Sequence, residues 1–176
     1  TYQQADVQAV PVPDASADVV VMQFGLMFVP DKELAVRELR RVLVPGGTLL
    51  LNVWNDLAFN PASKRLHELA FAEMPDDPPV FMKTPFSMPD HVALRALIET
   101  AFGRVAIETV NLVGESESAA HLAVGFVRGN PLYNQLVERN IDADAFEAKV
   151  ADMLRREFGD APCRGPISAH VVTAVA

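Results

Sequence analysis

The sequence contains very little cysteine and no long apolar run. Its one cysteine, Cys163, has no second cysteine with which to form an intrachain disulfide, so we expect a reduced thiol with a structural role. No apolar run approaches the ~20 residues that a membrane-spanning helix needs, and the sequence shows no signal peptide. These features favour a cytoplasmic protein that does not contact the membrane.

Basic residues are scarce relative to acidic ones. The chain has 15 Lys and Arg against 23 Asp and Glu, a net charge of -8. A nucleic-acid-binding surface needs a basic stripe, so we expect no nucleic-acid partner. The sequence also lacks HExxH and CxxC motifs and any dense cluster of His and acidic residues, so it predicts no metal site. A GxSxG nucleophile motif is absent as well.

The apolar content is sufficient for a sizeable core. Half of the 176 residues are hydrophobic, which is ordinary for one globular domain over residues 1–176. Residues 18–24 form an apolar, β-branched run that is typical of a buried strand. Asp31 can cap the amphipathic helix that follows, and a Pro-Gly-Gly turn separates this helix from a second apolar strand over 48–54. Residues 5–54 therefore predict one βαβ unit.

Strands and helices continue to alternate along the rest of the chain. The predicted elements are a short helix capped by Ser63, a proline-rich loop over 75–89, a helix capped by Asp90, a strand over 105–112, helices over 116–129 and 131–140, a helix capped by Asp142, and a strand over 167–175. This alternation predicts an α/β fold with a mostly parallel sheet and helices on both faces. We expect residues 55–89 and 116–160 to supply loop and lid elements on the acceptor side, with a helical insertion before the last strand.

The βαβ unit carries a recognisable set of motif residues. They are Asp6, Pro11, Pro13, Asp14, Asp18, Val19, Val20, Gln23 and the run RVLVPGG over 41–47. In this order they resemble the second half of a class I, Rossmann-like methyltransferase of the small-molecule type. The resemblance implies S-adenosylmethionine-dependent methyl transfer and a strand order of 3-2-1-4-5-7-6. It also implies that the N-terminal strands and the glycine-rich cofactor loop belong before Thr1, because nothing in the chain matches them.

The resemblance also implies a cofactor site for S-adenosylmethionine. In the family, an acidic residue after the third strand and the backbone of its neighbour contact the adenine, which here are Asp6 and Val7. A carboxylate suits an amino-group donor, although Asp6 could instead cap a loop. The residues after the fourth strand border the methionine part of the cofactor, and they are Gln23, Phe24, Gly25 and Phe28. Core packing is an alternative role for Phe24 and Phe28.

The candidate acceptor residues follow the next strand. Trp54 and Asn55 stand at its carboxyl end, and Phe86 lies in the proline-rich loop. We expect these residues to contact a small-molecule methyl acceptor. Methyl transfer depends more on alignment than on acid–base chemistry, but His67 or His121 could act as a base for some acceptors. For a single histidine, a surface or packing role is the more common one.

Two further function classes compete with the enzyme. One is a non-catalytic member of the same fold that serves protein interaction or assembly. The other is a nicotinamide-dependent oxidoreductase, which the Pro-Gly-Gly turn and the helical insertion fit poorly. The apolar strand over 18–24 would lie at a bare sheet edge in this chain, and proteins avoid such edges. We therefore expect an N-terminal segment or another copy of the chain to cover it.

Overall fold

A computed structural model describes residues 2–176 and shows an α/β protein. The strands are β1 (Ala17–Gln23), β2 (Leu43–Trp54), β3 (Arg104–Ser116) and β4 (Cys163–Val175), and the α-helices are α1 (Lys32–Val42), α2 (Pro61–Glu73), α3 (His91–Glu99), α4 (Ala119–Arg128), α5 (Leu132–Glu138) and α6 (Ala143–Phe158). Short 3₁₀ helices cover Leu26–Phe28, Leu57–Phe59 and Val80–Phe86. The predicted α/β class is confirmed.

The sheet has four strands in the order β1-β2-β4-β3. Strand β1 pairs in parallel with β2, and β2 pairs antiparallel with β4. Thr109 on β3 bonds to His170 on β4, whereas Glu115 bonds to Arg164, so β3 and β4 also run antiparallel. The sheet is therefore mixed, with β4 opposed to the other strands. This order matches the last four strands of the predicted 3-2-1-4-5-7-6 arrangement.

The chain divides into two compact units. The sheet unit comprises residues 2–56, 84–110 and 168–176, and the helical unit comprises 57–83 and 111–167. Each unit has its own apolar core. The helical unit buries one face each of α4, α5 and α6, including Ala123, Leu136 and Leu154, around Cys163, whose side chain is buried.

Helices α1 and α3 pack on one face of the sheet unit. Asp31 caps α1 by accepting a hydrogen bond from the Leu34 amide at 2.9 Å, and Leu39 and Ile98 point into the core between helices and sheet. The opposite face of the sheet carries Val19 and Val21, which are 53% and 58% exposed. Because β1 is the first strand in the order, this apolar surface extends to a sheet edge.

The Pro-Gly-Gly segment lies inside β2 rather than at the end of α1. The helix ends at Val42, and β2 begins at Leu43. The register between β1 and β2 then shifts: Ala17 is paired with Leu43, whereas Val19 is paired with Thr48. Gly46 has φ of 82°, and a Cβ on Gly47 would lie 2.9 Å from the Val44 carbonyl oxygen. Glycine is therefore required at both positions, because only glycine lets this irregular segment of β2 fit beside β1.

Two elements after β2 differ from the predictions. Helix α2 begins at Pro61 and not at Ser63, with Asn60 at the N-cap position and no side-chain capping bond, because proline fits the first helical turn, where no amide donor is needed. The proline-rich loop contains the 3₁₀ helix Val80–Phe86, which includes Pro85. A single short turn tolerates proline where a longer helix would not.

Candidate functional site

The carboxyl ends of β1 and β2 lie side by side at one edge of the sheet unit. Gln23, exposed at the end of β1, pairs with Asn52. The next residue, Phe24, has φ of 50°, a left-handed conformation that is rare for a bulky side chain. Its amide donates to the backbone oxygen of Asn52 at 3.1 Å and to the Asn52 side-chain oxygen at 3.2 Å. These bonds hold the strained backbone in place, and such strain concentrates at functional sites.

The left-handed turn brings three predicted site residues into one aromatic row. The rings of Phe24 and Trp54 stack with centroids 4.2 Å apart and an interplanar angle of 20°. Trp54 in turn contacts Phe86, with centroids 6.2 Å apart and tilted by 33°. All three side chains are half-buried. Because Phe24 and Trp54 cover each other's inner faces, the row can meet a planar or cationic ligand only through its outer faces and edges.

Gly25 and Phe28 flank this row on a short 3₁₀ turn. Gly25 occupies the N-cap position of the turn Leu26–Phe28, and a Cβ at Gly25 would lie 3.0 Å from the terminal methyl carbon of Met22. Leu26 and Met27 are buried, whereas Phe28 is 59% exposed. Its exposure shows that Phe28 is not a core residue in this chain.

Asn55 is buried and bonded within the sheet unit. It is 7% exposed, and its side-chain nitrogen donates to the Ser168 hydroxyl at 2.9 Å. Its side-chain oxygen accepts from the Asp56 amide at 2.8 Å. These bonds connect the end of β2 to β4. The predicted contact of Asn55 with an acceptor stays a prediction.

Asp6 occupies an exposed loop that precedes β1. Its carboxylate accepts a hydrogen bond from the Gln8 amide at 2.8 Å, and the Gln8 side chain donates to both carboxylate oxygens at 3.3 Å. Asp6 therefore caps its own loop, as the alternative interpretation expected. A carboxylate offers about four acceptor positions, so these bonds leave capacity for a further donor. Val7 packs against the core of the sheet unit.

His67 and His121, the candidate bases, both belong to the helical unit. The His67 ring stacks on the Phe71 ring with centroids 6.5 Å apart. The Lys83 ammonium group lies over the Phe71 ring, 5.1 Å from its centroid. Burial, and secondly the charge of Lys83, lower the pKa of His67 from 6.5 to about 4. His67 is therefore neutral near pH 7 and a weak base.

His121 is an exposed residue of α4. Its Nδ1 lies 3.3 Å from a carboxylate oxygen of Glu117. It lines a groove of about 430 Å³ between α4 and α6, together with Val124, Ala148 and Arg155. Most acidic side chains at this groove are paired with arginines, as Asp144 and Glu147 are with Arg128. The groove therefore offers His121 access to solvent but no buried partner.

The sheet unit contains a buried histidine that the sequence patterns do not indicate as a site residue. His170 is 3% exposed. Its Nε2 lies 2.8 Å from the Pro89 carbonyl oxygen, which can only accept, and its Nδ1 lies 3.0 Å from the Thr109 hydroxyl. The ring therefore donates through Nε2 to the end of the proline-rich loop. Only the alternation of buried residues along β4 could have indicated this position.

Two further observations concern metal binding and membrane crossing. No group of three or more His, Cys, Asp or Glu within residues 2–176 is arranged to hold a metal ion. Over the same residues, every helix is too short or too polar to cross a bilayer.

Comparison with protein families identifies the first part of the chain. Residues 1–51 match the family model described as a methyltransferase domain. The UbiE ubiquinone/menaquinone biosynthesis C-methyltransferase of Cronobacter sakazakii is 40% identical over 74 residues, 42% of this chain and 30% of the relative. The protein of the same name from Photorhabdus laumondii is 32% identical over 124 residues, 65% of this chain and 49% of the relative. The chain thus spans half or less of these relatives.

Solved structures of similar fold extend the likeness to nearly the whole chain. A structure described as a methyltransferase of an antibiotic biosynthesis pathway in Anabaena variabilis has a TM-score of 0.58 at 14% identity, covering 97% of this chain and 72% of the other. A structure described as a methyltransferase from Bacillus halodurans has a TM-score of 0.53 at 14% identity, covering 99% and 76%. These likenesses confirm the Rossmann-like fold. Residues 1–51 thus match a methyltransferase domain, and the fold of nearly the whole chain is that of the Rossmann-like methyltransferase structures.

Proposed function

We propose that the whole protein transfers a methyl group from S-adenosylmethionine to a small-molecule acceptor that carries a flat apolar ring. In this proposal the chain supplies the adenine contact and one wall of the reaction site. The chain spans less than half the length of its curated relatives. We therefore assign the glycine-rich loop and the acidic ribose contact, for which residues 1–176 offer no match, to another part of the whole protein.

The residues present fit the cofactor in two respects. The exposed Asp6 carboxylate keeps acceptor capacity for an amino group, because its bonds to Gln8 do not use all of its lone pairs. The aromatic row at the end of β1 offers ring faces, which attract cations. When bound, S-adenosylmethionine supplies an activated methyl group on a positively charged sulfur. We propose that Asp6 and Val7 bind the adenine, and that Gln23, Phe24, Gly25 and Phe28 border the methionine part.

The row of Phe24, Trp54 and Phe86 is the observation that carries the proposed acceptor class. The rings contact one another in a row, with centroids 4.2 Å and 6.2 Å apart, and the outer faces and edges of this half-buried row form an apolar surface. Such a surface orients a planar molecule through stacking, which holds it face-on without fixed hydrogen bonds. The name of the curated relatives, ubiquinone/menaquinone biosynthesis C-methyltransferase, is consistent with an acceptor of this kind. We propose that Asn55 contributes by keeping Trp54 in place.

The chain's contribution to catalysis is mainly alignment. Displacement at an activated methyl group gains most of its rate from holding the two reacting atoms in line. His67 is a weak base, since its pKa lies near 4, and the exposed His121 lies beside the carboxylate of Glu117. We therefore propose that proton removal contributes less than positioning, and that either histidine serves only acceptors whose proton is lost easily.

Trp54 is the only tryptophan of the chain, and its fluorescence tests the proposal. We expect flat ring compounds to change the emission of the full-length protein, and Trp54→Phe to remove that change.

Methyl transfer to the same compounds, followed with methyl-labelled S-adenosylmethionine, should fall at least about tenfold in Phe24→Ala, since aromatic contacts and alignment are both lost. Phe126→Ala, in the helical unit, is the control. Equal activity of Phe24→Ala and the wild type would remove the aromatic row from the site.

A further inference from the structure

Arg41, in the last turn of α1, binds the loop that connects Asp6 to β1. Its Nη1 donates to the Val12 carbonyl at 3.0 Å and to the Asp14 carboxylate at 2.6 Å. Its Nη2 donates to the Val10 carbonyl at 2.8 Å. One guanidinium group therefore holds three successive points of the loop, which the planar fork of arginine permits and the single ammonium of lysine does not.

Glu38, one turn earlier on α1, completes the cluster. Arg41 donates to Glu38 through Nε and Nη2, each at 2.9 Å, and the Val10 amide donates to the same carboxylate at 3.1 Å. The Glu38 side chain is only 17% exposed, so these bonds are partly shielded from solvent. The hydrogen bond from Arg41 is the main cause that lowers the pKa of the Glu38 carboxyl. Val10 is thus held through both its amide and its carbonyl.

Gln8 fastens the other end of the same loop to α1. Its side-chain oxygen accepts from the backbone amide of Asp31, the N-cap of α1, at 2.9 Å. Its side-chain nitrogen donates to the Asp6 carboxylate. The segment from Asp6 to Asp14 is therefore fixed to both ends of helix α1, at Asp31 and at Arg41.

We propose that Arg41 is a positioning residue for the Asp6 carboxylate, and that together with Gln8 it sets the preference of the protein for an adenine ring. The inference rests on the proposed function, because it assumes that Asp6 contacts the adenine amino group. An exposed loop whose carboxylate is free to rotate would gain little from one hydrogen bond, since ordering the loop costs entropy. A loop already fixed on α1 avoids that cost.

The test compares two ligands in the full-length protein by calorimetry. S-adenosylhomocysteine carries the amino group on its base, and S-inosylhomocysteine carries an oxygen in its place. We expect the wild type to prefer the adenosyl compound by about tenfold or more, and Asp6→Ala to lower this preference below about threefold. Arg41→Lys should lower it to about threefold, with little change in the affinity for the inosyl compound.

The control is Arg37→Lys on the same helix. Arg37 is exposed and, among residues 2–176, forms an ion pair with Glu33 at 3.6 Å, so this variant should keep the wild-type preference. If Arg41→Lys weakens both ligands equally, Arg41 has a merely structural role and the inference is overturned. An unchanged preference in Arg41→Lys also overturns it. Failure of the wild type to bind either ligand would instead refute the proposed function.

Discussion

At the scale of single residues, several features of the candidate site occur together at Phe24. Its left-handed backbone, its amide bonds to Asn52 and its stacking on Trp54 all occur at the end of β1. The sequence could place Phe24 after the strand, because the apolar run ends there. It could not predict the positive φ, since nothing in the local sequence compels a phenylalanine to adopt it. The pairing with Asn52 and Trp54 on the next strand is what holds it.

The strain at Phe24 predicts an unusual order of stability between two variants. Phe24→Ala and Phe24→Gly both remove the ring, but only glycine adopts φ of 50° without cost. We expect Phe24→Gly to be more stable than Phe24→Ala by about 1 kcal/mol in urea denaturation. At Val21, in the regularly paired part of β1, the order should be reversed, because glycine there only adds entropy to the unfolded chain. An alanine variant at position 24 as stable as the glycine variant would contradict the strain.

The burial of His67 predicts a specific dependence on pH. Its folded pKa is about 4, below the unfolded value of about 6.5. As the pH falls from 6.5 towards 4, the unfolded chain takes up a proton that the folded chain does not, so stability falls. The loss is at most about 1.4 kcal/mol per pH unit and ends below the folded pKa. An NMR titration of the ring should show the midpoint near 4, and His67→Gln should remove this part of the pH dependence. A midpoint near 6.5 would contradict the burial effect.

At the scale of elements, local signals predicted most boundaries well. Asp31, Asp90 and Asp142 each cap the helix that follows them, because a side-chain acceptor before an apolar period is a local feature. The element boundaries that were predicted wrongly involve proline and glycine, whose effect on the backbone depends on the neighbouring elements. Pro61 begins α2 rather than delaying it, and the Pro-Gly-Gly segment became an excursion within β2 because β1 lies beside it.

Helix α3 offers a test of the packing in the sheet unit. Ile98 is fully buried between the helix and the sheet, whereas Val92 on the same helix is 64% exposed. Ile98→Ala should lower the free energy of unfolding by about 2–5 kcal/mol, because it removes buried methyl groups and leaves a cavity. Val92→Ala should change it by no more than about 0.5 kcal/mol. Chemical denaturation measures both, and equal effects would show that α3 does not pack as described.

At the scale of the whole molecule, the exposed apolar face of the sheet predicts that the isolated chain associates with itself. Val19, Val21 and Leu50 are exposed on one face of β1 and β2, and β1 is an edge strand. Bare apolar edges promote association. We expect the 176-residue chain alone to self-associate in sedimentation experiments, and Val21→Lys to reduce this. Val124→Lys, an exposed change on α4, is the control. A monodisperse wild-type monomer would contradict the expectation.

The candidate site was predictable only in part from the sequence. Phe24, Trp54 and Phe86 could be named from strand ends and a loop, but their contact depends on pairing between elements that are far apart in sequence. Arg41 could be named from the sequence as a motif residue, and in the structure its side chain is partly buried. Its reach to Val10 and Asp14 was not, because the loop before β1 has no regular structure. Sequence patterns locate elements, whereas side-chain clusters arise from tertiary packing.

The most direct test of the central claim is calorimetric titration of the full-length protein with S-adenosylhomocysteine. The account predicts binding by the wild type and an affinity lower by about 1–3 kcal/mol in Asp6→Ala, which loses the adenine acceptor. Asp76→Ala, an exposed residue of the helical unit, should bind like the wild type. Absence of heat with the wild type, or equal affinity of Asp6→Ala and the wild type, would contradict the account.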